Sequence, residues 1–303
     1  MDRDLLRAQE PRLTERSREL YRRSAKDHCL TRWGTRKLAD VEPTDVRQLY
    51  GELRRKGAST SALRQLRSTL SAMFSTAVED GLLRSNPVRG IRIPAPTRVE
   101  VDDDQAKALT REELRRFLAA LPDDDWRLFF EFLIHTGLRT SEAVGLRWEH
   151  LDLGKRPRVL VREQFYEGKR SRLKSKSGKR DVPLSPGMAE RLRTKRVASY
   201  REAAPVFATI TGTELSRPNV ASRVLKPAAK AVRVPWASFH SFRHTCASML
   251  FDEGRNVKQV AEWLGHADPA FTLRTYVHLL DDGVGTAAFF DFVVSEQTAH
   301  NGR

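Results

Sequence analysis

Cysteine is scarce in this 303-residue chain. The two present, Cys29 and Cys246, lie far apart and outside any C-x-x-C spacing, which excludes a disulfide framework and a cysteine-built metal or redox centre. Both read as reduced structural thiols. Long apolar runs are lacking too: nothing approaches the roughly 20 residues that a membrane-spanning helix needs. The opening stretch MDRDLLRAQEPRLTERSREL has no apolar core of the kind a signal peptide carries. These absences point to a cytoplasmic protein with no membrane partner. Acidic residues are in deficit, with 39 Asp+Glu against 54 Lys+Arg, a formal net charge of +15 and a pI near 10.2. Such a balance makes nucleic acid the default partner. Of the basic residues 41 are Arg, suited to bidentate phosphate contacts. High-GC codon usage explains that ratio equally well, but not the net charge. A hydrophobic content of 40% is enough for two compact domains and argues against a fibre or a disordered chain.

Residues 1–95 read as a small helical domain. The apolar spacing in VRQLYGELRRKG and SALRQLRSTLSAMFSTAVEDGLL follows the helical period, and WGTRK, EPTD and KGAST supply turns. This third of the chain holds 20 basic against 12 acidic residues, so about half of the excess positive charge lies here. Residues 96–108, at the end of a stretch mixing Pro, Gly and an acidic run, read as a linker. A second unit, 109–285, opens with Thr110 and Glu113 at capping-box spacing. The pattern predicts a helix over 124–136 ending at Gly137, short strands in RPRVLVREQF and KRDVPL, and helices again from about 187 to 280. Residues 286–303 form a tail containing AAFFDFVV (287–294), apolar enough to need a cover, either on its own domain or on a neighbouring copy. The expected fold class is mainly α with a small antiparallel β-sheet.

Three stretches carry residues suited to chemistry. In LIHTGLRTSEAVGLRW (133–148), Arg139 follows a Gly turn at a helix start with Glu142 three residues on, a position where an anion is gripped beside helix amides. By itself this spacing describes an ordinary surface ion pair. RSRLKSKSGKRDVPL (170–184) reads as a basic hairpin, with eleven basic and two acidic residues between 154 and 180. A lysine there is placed to donate a proton to a leaving oxygen; a solvated loop is the plainer reading. FHSFRHTCASMLFDEG puts His240 and Arg243 on one helical face, and WLGHADPAFTLRTYVHL adds His266 in a turn and Tyr276 in a short helix.

Taken in order, T-G-x-R-x-x-E, a basic hairpin ending in R-D-V-P-L, H-x-x-R-H, L-G-H and a Tyr ten residues later resemble the tyrosine recombinases, or phage integrases. The resemblance covers about 110–285, and residues 10–95 look like the helical core-binding domain that precedes such catalytic domains. It implies that Arg139 and Arg243 hold a scissile phosphate, that His240 hydrogen-bonds it, that His266 is the second active-site histidine and that Tyr276 is the nucleophile. Lys174 is the implied general acid, with Lys176 competing for the role, and Glu142 buttresses Arg139. It further implies double-stranded DNA with attachment sites as substrate, a homotetramer assembled on DNA, and an accessory DNA-bending or directionality protein. A location on the bacterial nucleoid goes with these. Ser175 stands where a Thr is frequent and keeps the hydroxyl. Only a few residues precede the helices, which leaves either a protein that works without arm sites or a sequence that starts downstream of an arm-binding domain.

The chemistry accounts for these residue types. A phosphodiester is anionic, so in-line attack by a phenol needs fixed cations on the oxygens where charge grows. A Tyr, with an ordinary pKa of about 10, also needs help to lose its proton. Arginines supply the charge, so no metal or cofactor is expected, and His240, His244, His266 and His278 have no Cys or acidic cluster at ligand spacing beside them. The alternatives are a non-cleaving DNA-binding regulator and a type IB topoisomerase, which shares the phosphotyrosine chemistry.

Overall fold

In the computed structural model, which describes residues 15–95, 107–173, 177–199 and 204–276, helices begin where the sequence supplies a cap. The chain divides into two units, Met1–Asp103 and Asp104–Arg303. In the first, α1 (Glu15–Ser24) runs through a π-helical turn (Ala25–Leu30) to Trp33. The second helix, α2 (Pro43–Arg55), starts with Pro at its first turn and a Glu42/Asp45 capping box. The third, α3 (Thr60–Glu79), starts at Ser59, whose hydroxyl accepts from the Ala62 N–H at 3.1 Å. Leu63, Leu66, Leu70 and Phe74 follow the helical period along α3 and pack on Trp33, Leu49 and Tyr50. Arg32 donates to Glu52 at 2.8 Å and ties α1 to α2. Buried Arg54 holds the end of the unit by donating to the carbonyls of Ala58 and Pro94.

The second unit is helical with two small antiparallel sheets, an α+β fold. Thr110 and Glu113 form the expected capping box ahead of α4 (Arg111–Ala119). Asp123 caps α5 (Asp124–Thr136). This central helix buries Phe129, Phe130 and Phe132, which meet Phe117 from α4, Phe207 and Phe242. A short α6 (Thr140–Val144) follows. Strands β1 (Leu151–Asp152), β2 (Arg158–Val161) and β5 (Arg180–Pro183) form one sheet in the order β1-β2-β5, with Val159 opposite Val182. Strands β3 (Glu163–Tyr166) and β4 (Lys169–Arg172) form a separate hairpin. Then come α7 (Pro186–Ser199), α8 (Arg217–Val220, carried through a π-helical turn to Ala231), α9 (Phe239–Asp252), α10 (Val257–Leu264) and α11 (Pro269–Tyr276).

The segment 170–184, expected to be one basic hairpin, is divided between the two sheets. The hairpin that exists turns at Glu167 and Gly168, both at positive φ, as a two-residue hairpin loop requires. Burial explains the division. Val159, Val161 and Val182 are buried, so β5 is drawn onto β2, whereas no residue of β3 or β4 is fully buried. Lys174 and Lys176 lie outside the described residues, as does the apolar tail at 287–294.

Gly137 ends α5 at φ 60°, where a Cβ would meet the Leu264 side chain at 2.6 Å and the Cys246 sulfur at 3.0 Å. Both the left-handed backbone and the contact demand glycine. Gly137→Ala is expected to destabilise the protein by about 2–4 kcal/mol, measured by denaturant unfolding.

Candidate active site at the end of helix α10

The last carbonyls of a helix have no partner within it, and they form the negative end of its dipole. At the C-terminus of α10 three consecutive carbonyls each accept from a different arginine. Arg180 Nε donates to Trp263 O at 2.7 Å, Arg243 Nη2 to Leu264 O at 2.7 Å, and Arg139 Nη2 to Gly265 O at 3.2 Å. The arginines come from β5, α9 and the N-cap of α6. Gly265 completes the seat: it lies at φ 71°, and a Cβ there would press on the Arg180 guanidinium at 2.7 Å.

Glu142 sits at the centre with its side chain fully buried. It accepts from the Arg139 backbone N–H and from Arg139 Nη1, both at 2.9 Å, and from Arg180 Nη2 at 2.9 Å. Burial pushes its pKa up, but the charge and hydrogen bonds of Arg180 and then the charge of Arg139 outweigh this, so the pKa lies below the usual carboxylate value. The pair at 139 and 142 is therefore part of a buried triad and not a surface ion pair. Arg243 is 3% exposed and also donates to Gly137 O at 2.6 Å. Burial, and next the charge of Arg139, draw its pKa down to about 9, which leaves it charged at neutral pH. Three guanidiniums thus surround one carboxylate.

The helix face shared by His240 and Arg243 is buried only at Arg243. His240 is exposed as a residue, yet its ring is sheltered enough that desolvation, followed by the charges of Arg243, Arg139 and Arg217, lowers its pKa. His266 directly follows the helix end, and its Nδ1 lies 2.7 Å from the hydroxyl of buried Thr272. Burial and the charges of Arg243, Arg139 and Arg180 drive its pKa to about 3, so its ring is neutral at physiological pH. Tyr276, at the end of α11, is 1% exposed. Its hydroxyl lies 2.6 Å from His244 Nδ1, and the His244 ring meets that of His240 edge to face at 4.9 Å. Burial raises the Tyr276 pKa, and the charge of Arg243 opposes the rise.

The structure thus brings Arg139, His240, Arg243, His266 and Tyr276 into one electrostatic neighbourhood. Two members escaped the reading of the sequence. Arg180 lies within the R-D-V-P-L string, and the alternation of β5 gives a signal for it, because Arg180 shares the inward face with Val182. His244 stands beside Arg243, but its partner is 32 residues away. Among the described residues no group of three or more His, Cys, Asp or Glu is placed to hold a metal ion, and no helix is long and apolar enough to cross a membrane.

Residues 107–282 match the phage integrase family, more than half of the chain. A tyrosine recombinase XerC-like protein of Caldanaerobacter subterraneus subsp. tengcongensis is 28% identical over 269 residues, covering 80% of this chain and 69% of that one. Tyrosine recombinase XerC of Pseudomonas entomophila is 30% identical over 261 residues, covering 83% and 80%. The solved structure of the Tn1549 transposon integrase in complex with transposon right end DNA aligns over 98% of both chains, with a TM-score of 0.76 at 21% identity, a likeness of fold.

Glu142→Ala leaves the buried Arg180 without its carboxylate and is expected to cost about 3–5 kcal/mol of stability, read from the unfolding midpoint. Acid should also destabilise the protein. His240 and His266 have folded pKa values below the unfolded value of about 6.5, so the unfolded chain takes up protons first as pH falls. Their contribution is intact above that value and is lost below it, and the depressed Glu142 adds a further loss at lower pH. The thermal midpoint should fall between about pH 7.5 and 5.5, and less so in His266→Asn.

Proposed function

Because the chain belongs to the phage integrase family, and is thereby a tyrosine-type site-specific DNA recombinase, we propose that it cleaves duplex DNA through Tyr276, with Arg139 and Arg243 holding the scissile phosphate. One observation carries the assignment: the family's arginines and histidines gather at the end of α10 around a surplus of positive charge, with the Tyr276 hydroxyl in the same network. Arg139, with 41% of its side chain exposed, is the cation open to a ligand. Arg243 adds charge from beneath, and Arg180, through Glu142, keeps Arg139 in place. His240 donates to a non-bridging oxygen. His266, neutral and anchored on Thr272, offers a hydrogen bond without adding charge.

Attack by the Tyr276 oxygen on phosphorus forms a 3′-phosphotyrosine and releases a 5′ hydroxyl. The arginines stabilise the charge that grows on the equatorial oxygens. The proton for the leaving oxygen comes from Lys174 or Lys176, on the segment between β4 and β5. The phosphotyrosine linkage keeps the energy of the phosphodiester, so rejoining to a new strand needs no ATP. In the first unit, the α3 face lined by Arg64, Arg67, Ser68, Ser71 and Ser75 has the chemistry to follow a DNA backbone. Strand exchange joins two duplexes, so a homotetramer on DNA belongs to the reading. A mobile element or phage genome is the cargo whose integration and excision this reaction serves, on the nucleoid and with an accessory DNA-bending or directionality protein.

The test is incubation with nicked attachment-site duplex, followed by denaturing electrophoresis. The wild type is expected to form a covalent protein–DNA adduct and Tyr276→Phe none, with DNA binding kept by both. Arg139→Lys should lower the cleavage rate by about 10²–10³-fold. An adduct from Tyr276→Phe would remove the nucleophile assignment. No adduct on a site that the wild type binds would leave a DNA-binding protein without strand-transfer chemistry.

A further inference from the structure

The roles carried by the sequence motifs leave the Tyr276 proton without a destination. Arginines have no acceptor. His266 has its Nδ1 engaged by the Thr272 hydroxyl, and His240 lies at the exposed end of the α9 face, where the phosphate is read. The group in contact with the phenol is His244, one helical turn below His240, its Nδ1 2.6 Å from the Tyr276 oxygen. The two rings meet edge to face at 5.5 Å between centroids, and Phe251 packs on the tyrosine from the same helix at 5.9 Å. The hydroxyl of buried Tyr276 is thus fixed against one half-buried imidazole, and an acceptor must already be in place when the bond to phosphorus forms.

We propose that His244 is the proton acceptor for Tyr276 in strand cleavage; this rests on Tyr276 being the nucleophile. In the tautomer protonated on Nε2, Nδ1 accepts the hydrogen bond from the phenol. As the Tyr276 oxygen bonds to phosphorus and the bond from phosphorus to the 5′ oxygen breaks, the phenolic proton passes to Nδ1. His244 becomes an imidazolium, and the leaving oxygen takes its proton from the lysine side of the site. In rejoining, the 5′ hydroxyl gives its proton back to the lysine side as it attacks phosphorus, the bond from phosphorus to the Tyr276 oxygen breaks, and His244 returns its proton to that oxygen, so the imidazole is regenerated with each exchange. The fixed charges on this side of the unit are Arg243 on α9, Arg139 on α6 and Arg180 on β5, with Glu142 as the buried opposing charge. His240 and His266 also face this region, on α9 and after α10. A bound phosphodiester supplies the negative charge that offsets an imidazolium here, which couples proton acceptance to occupation of the site.

The experiment measures single-turnover adduct formation on nicked duplex by the wild type, His244→Ala and His244→Asn, each carrying either tyrosine or 3,5-difluorotyrosine at position 276. Asparagine keeps a hydrogen bond to the phenol but cannot take its proton. Both variants should bind DNA as the wild type does and cleave about 10²–10³-fold more slowly. The more acidic fluorinated phenol should restore His244→Asn by about tenfold or more while changing the wild type little. A merely structural role for His244 predicts instead that asparagine rescues alanine and that fluorination leaves the deficit unchanged; that outcome overturns the proposal. Full-rate cleavage by His244→Asn overturns it too, with the nucleophile assignment intact provided Tyr276→Phe is inactive. An adduct from Tyr276→Phe removes both assignments together.

Discussion

Three arginines hydrogen-bonded to three successive carbonyls at the end of one eight-residue helix are the constraint on which this site depends. The carbonyls of residues 263–265 would otherwise end α10 without partners. Arg180, Arg243 and Arg139 satisfy them and are oriented by them in return. Guanidiniums at a helix C-terminus also gain from the dipole, by up to about 2 kcal/mol in partly buried geometries. Each arginine arrives on a different element, so the same bonds align β5, α9 and α6 on α10. The two glycines around the seat, Gly137 and Gly265, lie at positive φ where a Cβ would strike Leu264 and Arg180 respectively. Site and packing are therefore one problem, and a change at the helix end would disturb both.

Glu142 shows why such a cluster holds together. Like charges this close repel strongly in a low dielectric, and a buried carboxylate alone is costly. Placed between Arg139 and Arg180, and bonded also to the Arg139 backbone N–H, it satisfies both demands. It does not neutralise the site. The remaining positive charge has carbonyl oxygens for company, and these orient a cation without cancelling it.

How much of this was legible in the sequence varied with the range of the interaction. Local signals read well: the Thr110/Glu113 box, the end of α5 at Gly137, and the helical period of α3 all depend on neighbours within a turn or two. Interactions across the chain did not. Arg139 and Glu142 were legible as a pair, but the burial that gives the pair its weight comes from Arg180, 38 residues further on. His244 was visible in H-x-x-R-H, while the residue that gives it a use is at the far end of the unit. The basic segment at 170–184 was legible as charge and misread as one hairpin, because the choice between pairing with β2 and turning back on itself is made by Val182 and not by the lysines. The π-helical turns at Ala25–Leu30 and Ala221–Leu225 left no pattern that distinguishes them from ordinary helix.

The charge arrangement links binding to folding. A protein that holds three guanidiniums around one carboxylate, two of those arginines buried, keeps part of its electrostatic cost unrelieved until an anion arrives. His266 responds by staying neutral, because a further cation in that field is disfavoured. A phosphodiester reverses the sign of that argument. Held there as proposed, it opposes the surplus charge and, by binding the folded arrangement alone, stabilises the fold. In the proposed reaction the substrate is then one of the charges that the site is built around, and the anion that the arginines would hold is also the charge that would offset a proton taken up by a neighbouring imidazole.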